Sequence, residues 1–96
     1  MMKNLIVSAA VSLKLEGKHE VTVREVEQCF ENRIGVFLED TREDHQTDPP
    51  TLWFIALTNR QRPLKIVFIF SDGNIHLKTA YPPEAEAIAI YDEHGR

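Results

Sequence analysis

The sequence predicts an α+β domain, an antiparallel sheet with helices packed on one face. Two observations carry that expectation. Thr51 to Tyr81 divides into three strand-like runs separated by short connections, and short connections make neighbours antiparallel, so the runs form a three-stranded meander. Segments with helical caps and helical apolar spacing precede and follow it, and Ile34 to Leu38 offers a fourth strand.

In chain order, Met1 to Val7 holds Leu5, Ile6 and Val7 and reads as an edge strand or as a lead into a helix. Ser8 is an N-cap candidate for a helix over Ala9 to Glu16, with Val11 and Leu15 on one face and Gly17 as its C-terminal stop. Thr22 and Glu25 have the spacing of a capping box for a helix running from Val23 to about Asn32. Val23, Val26, Cys29 and Phe30 share one face of it, and Arg24, Glu27, Gln28 and Glu31 fall elsewhere.

Leu52 to Leu57 and Leu64 to Phe70 are apolar on both faces, which calls for cover on both sides. Helices cover one face, so the other is a candidate interface with a partner protein or a second copy. Asn74 to Thr79 alternates, with Ile75, Leu77 and Thr79 on one side and Asn74, His76 and Lys78 on the other. Asp72-Gly73 before it suits a tight hairpin turn. Pro82 and Pro83 close the meander, and Glu84 to Tyr91 is a last helix with Ala87, Ile88 and Tyr91 towards the core.

Composition narrows the function classes. The 96 residues make a single domain, 1–96, 43% apolar and 27% charged with a net charge of −4, so no global charge draws it to nucleic acid or membrane. One cysteine, Cys29, excludes an internal disulfide and reads as a small buried hydrophobe. Without a signal-peptide pattern or an apolar run long enough to span a bilayer, the expected place is the reducing cytoplasm.

The stretch from Glu39 to Pro50 has no aliphatic anchor and reads as a long loop. Its carboxylates and His45 could hold a hard cation, but the spacing is not that of an EF-hand and no Cys/His zinc pattern is present, so no metal or cofactor is expected. Glu39, Arg42 and His45 stand as a loop-site candidate for a small hydrolase. The plainer reading is a solvated loop with Arg42 pairing locally.

Three segments together resemble a known family. KHEVTVREVEQCF, Lys18 to Phe30, is similar to the KHGV-x-x-x-E-x-x-x-x-F segment of the BrnT toxins. ALTNRQRPLKIVFIF, Ala56 to Phe70, resembles that family's G-x-T-x-x-G-R-x-L-x-V-x-F hairpin, with Thr58 and Arg62 at the matching polar places. IHLKTAY and the helix to Tyr91 sit where the family has I-R-I-I-S-A-R and a final helix. The family's hairpin glycines are Ala56 and Gln61 here, its S-A-R arginine best matches Lys78, and the E-R pair of its last helix is missing.

The resemblance implies a bacterial type II toxin of RelE/ParE-like fold, a metal-independent ribonuclease with a cognate antitoxin as partner. Lys78 and His76 are then the catalytic candidates, and Arg60, Arg62, Lys18 and His19 the substrate-binding ones. FLEDTREDHQTDPPTLWFIA also resembles small bacterial proteins labelled ADP-ribosyl-(dinitrogen reductase) hydrolase, but enzymes with that activity are large and helical with a two-metal carboxylate site. The competing reading is a non-catalytic protein-binding module on the same fold.

Overall fold

The computed structural model describes residues 2–42 and 47–96. It is an α+β fold built on one five-stranded sheet in the order β1-β5-β4-β3-β2, with β1 (Leu5–Ile6), β2 (Leu38–Glu39), β3 (Thr51–Leu57), β4 (Pro63–Ser71) and β5 (Asn74–Tyr81). β2 to β5 pair antiparallel, whereas β1 pairs parallel with β5, Leu5 beside Ile75. The sheet is therefore mixed, against the expectation of a purely antiparallel one.

α1 (Ala9–Lys14) starts where Ser8 caps it, the hydroxyl accepting from the Val11 amide at 3.2 Å. It does not stop at Gly17. The chain winds on through a π-helical turn, Leu15–His19, and turns at Glu20, which takes the left-handed conformation expected of the glycine. α2 (Val23–Asn32) begins on the predicted capping box, with both the Thr22 and the Glu25 bonds formed. Glu27 departs from expectation, being buried with its carboxylate accepting from the Met2 amide at 3.0 Å.

Register sorts the side chains onto two faces. Leu52, Phe54 and Ala56 lie opposite Phe68, Ile66 and Leu64 and face α1 and α2. There Phe30 and Phe37 meet Phe54 and Phe68 with centroids 4.8–5.4 Å apart, the geometry in which ring edges meet ring faces. Trp53 and Ile55 face the other way, and α3 (Ala85–His94) lies over them, with Tyr91 5.7 Å from Trp53. Helices thus cover both faces rather than one. α3 does so narrowly: Tyr91 is buried, but Ile88 stays 36% exposed instead of joining the core.

Two further departures have identifiable causes. Of the predicted Ile34–Leu38 strand only Leu38 pairs with β3, followed by Glu39 beyond its predicted end. The Val36 amide instead donates to the Gly95 carbonyl at 2.7 Å, and the Tyr91 hydroxyl donates to the Val36 carbonyl at 2.7 Å. Both backbone groups that would extend the ladder are taken by the end of α3. In β5 the alternation breaks at Lys78, which has no partner between Leu77 opposite Phe68 and Thr79 opposite Val67. This bulge shifts the phase by one residue. Ala80 takes the buried place expected of Thr79, whose hydroxyl is enclosed with no hydrogen-bond partner among the described residues.

Candidate functional site

The hairpin between β3 and β4 is a rigid turn. Thr58 is 1% exposed, and its hydroxyl accepts from the amides of Arg60 and Arg62. Gln61 takes positive φ, as the glycine of the resembling motif would. Arg62 turns inward, donating to the carbonyls of His19 and Glu20 and to the Glu25 carboxylate at 2.8–3.3 Å. It ties the hairpin to the π-helical turn and to the start of α2. Arg60 and Lys18 are exposed beside it.

His76 and Lys78 lie elsewhere. His76 pairs with Ile69 near the β4–β5 turn, and Lys78 projects from the bulge. Arg62 precedes β4, five or more strand residues away, which at about 3.3 Å per residue is well beyond a shared phosphate. The structure does not bring this pair to the Arg62 hairpin.

Another set does come together, around Tyr81 at the end of β5. The His19 ring stacks against Tyr81, centroids 5.4 Å apart. Lys65, directly opposite Tyr81 in the sheet, places its ammonium 4.5 Å from the Trp53 ring centre and 5.8 Å from that of Tyr81. Among the described residues no salt bridge engages it. Desolvation and the nearby charges of Lys18 and Lys14 lower the His19 pKa from its ordinary value, which favours the neutral imidazole.

Trp53, Lys65 and Tyr81 form the floor of a cleft of about 530 Å³. One wall is α3, with Glu86, Ala87, Ile90 and His94, and the other is the strand-to-loop segment from Leu38 to Arg42. In that wall the Asp40 carboxylate, 8% exposed, accepts from the Arg42 backbone amide and from its guanidinium at 2.8–3.1 Å. This hydrogen-bonded pair raises the Arg42 pKa further, so the guanidinium stays charged and the Asp40 carboxylate balances it. Arg42 thus pairs locally, as the plain reading of the loop had it. Glu39 borders the same cleft, and His45 lies outside the described residues.

Among the described residues no group of His, Cys, Asp and Glu has the arrangement of a metal site. Cys29 is buried, its thiol pushed up to about 12 by burial and pointed at the Ala56 carbonyl 3.6 Å away. None of the described helices is long and apolar enough to cross a membrane.

The sequence reading named His19 and Arg42 among its candidates and did not name Lys65, Trp53 or Tyr81. The signal was present in the strand parity. Lys65 is the one cation within an otherwise apolar run, and pairing across the two hairpins sets it between the strand of Trp53 and Tyr81. Comparison with protein-family models and with curated proteins finds no match, so the cleft is the feature on which a functional reading rests.

Proposed function

We propose that this chain is a toxin-like protein of the bacterial toxin–antitoxin kind, on a RelE/ParE-like fold, that cleaves RNA without a metal at the Tyr81 cleft. The observation that carries this reading is the row His19, Tyr81 and Lys65, an imidazole, a hydroxyl and an ammonium around one ring. The likeness to BrnT segments supports the class. In the reaction the RNA 2′-oxygen bonds to phosphorus and gives its proton to His19. Lys65 and Arg42 balance charge on the phosphate oxygens as the bond to the 5′-oxygen breaks, and that oxygen takes the Tyr81 proton.

The test is expression in bacteria with growth and RNA integrity followed. Wild type is expected to arrest growth and cut RNA, and Lys65→Ala to lower the cutting rate about 10²-fold, the effect of losing one donor to a developing charge. His76→Ala and Lys78→Ala are the competing assignment; loss of cutting in these, with Lys65→Ala unaffected, would move the site to the bulge.

A second reading, a non-catalytic module that binds an antitoxin-like partner or a second copy, is favoured by a separate observation. Val67 and Ile69 on the α3 face remain only half-buried and Ile6, beside His76, is 43% exposed. No RNA cutting by folded wild type would select it.

A further inference from the structure

α3 touches the sheet along a single line. Of its residues only Tyr91 is buried, and Ala87 alone is half-buried. Open clefts run along both flanks, one of about 410 Å³ bordered by Ile55, Leu57 and Ile88, the other the 530 Å³ cleft bordered by Trp53, Lys65 and Ile90. Ile88 and Ile90 therefore hang over opposite clefts, 36% and 41% exposed, and burial seats the helix through Tyr91 alone. Its N-cap, Glu84, makes no side-chain capping bond, and residues 82–84 before it have no regular structure.

The far end is held in a different way. Val36 is clamped between the Gly95 carbonyl and the Tyr91 hydroxyl. A Cβ at residue 35 would collide with both of those groups, and one at residue 95 with the Tyr91 ring. The clamp is a close fit at one point on a helix otherwise loosely laid.

We propose that α3 is a lid over the Trp53–Lys65–Tyr81 cleft, hinged at residues 82–84 and latched by Val36 between Tyr91 and Gly95. The proposal rests on reading that cleft as the working site. Closed, the lid sets Glu84 and Glu86 at the cleft beside Lys65 and Arg42, where they oppose an incoming anion. Open, it removes Glu86 together with Ala87, Ile90 and His94, while Lys65 and Tyr81 stay fixed by the sheet. An extended polyanion such as RNA therefore binds the open form better and shifts the population towards it.

Two measurements test the lid. In native-state hydrogen exchange of the unmodified protein, amides of α3 should exchange at least ten-fold faster than those of β4 and β5, through an opening that hardly depends on denaturant. Trp53 is the only tryptophan and is 8% exposed under Tyr91, so acrylamide quenching reports the lid directly. Tyr91→Phe, which removes the hydroxyl and keeps the ring, should at least double the quenching constant while protection in β4 and β5 is unchanged.

The lid is overturned if α3 and β4 exchange through the same global opening. It is equally overturned if Tyr91→Phe leaves quenching unchanged, or lowers protection across the whole sheet. Retention of full RNA affinity by Lys65→Ala would instead refute the site and leave the lid standing.

Discussion

α2 and α3 have ten residues each and pack on opposite faces of the same sheet, yet they are held by different means. α2 has a complete capping box, buries Val26, Cys29 and Glu27, and sends Gln28 and Asn32 to the hairpin, where they bond the Asn59 amide and the Leu57 carbonyl. Its attachment is spread over its length. α3 has no side-chain cap and depends on one aromatic ring and one clamped residue. The first arrangement makes a helix part of the cooperative core; the second lets it detach while the core persists. The side that must stay rigid carries the aromatic cluster, and the side that faces the cleft does not.

Substitutions sharpen that contrast, and the largest effect belongs to the α2 face. Phe68→Ala removes the ring that meets both Phe30 and Phe37 and should lower global stability by about 3–5 kcal/mol, whereas Ile88→Ala should change it little. Denaturant titration checks both, and equal losses would erase the distinction. Arg62→Ala comes next, at about 2 kcal/mol, because it leaves two carbonyls and one Glu25 carboxylate oxygen without this donor. A loss of RNA binding without loss of stability would show instead that Arg62 faces substrate.

Thr22→Ala should cost about 1 kcal/mol by removing the cap of α2. In α3 the matching change is a gain: Glu84→Ser supplies the absent cap and should slow exchange in α3 without altering β4. A further effect appears only in alkali. Folding raises the Cys29 pKa from 9.0 to about 12, so the folded state holds this proton more tightly than the unfolded chain does. Its contribution is intact below about pH 9 and lost as pH rises towards 12. Cys29→Val should flatten that part of the stability profile; an unchanged profile would assign the alkaline loss to other groups.

Much of the scaffold was legible because its signals are local. The Thr22–Glu25 box, the Asp72-Gly73 turn and the apolar spacing of α2 each depend on residues within a few positions of one another. What escaped depends on partners far along the chain. The truncation of the Ile34–Leu38 strand follows from Tyr91 and Gly95, and the Lys78 bulge appears only once β5 is laid against β4. The candidate site divides likewise. His19 and Arg42 stand out as polar residues in turns and loops, whereas Lys65 and Tyr81 become a site only through cross-strand pairing.

The two glycines of the latch carry a consequence for sequence drift. Gly35 and Gly95 leave room for each other's surroundings, so a side chain at either is felt through Tyr91 at both. By contrast Gly17, with nothing within 4 Å of the place a Cβ would occupy, is free to change. A saturation scan of the chain should therefore find residues 35 and 95 as intolerant as reactive groups. Their intolerance would reflect the fit of a helix end against a loop, and a survey ranking positions by tolerance alone would mistake them for chemistry.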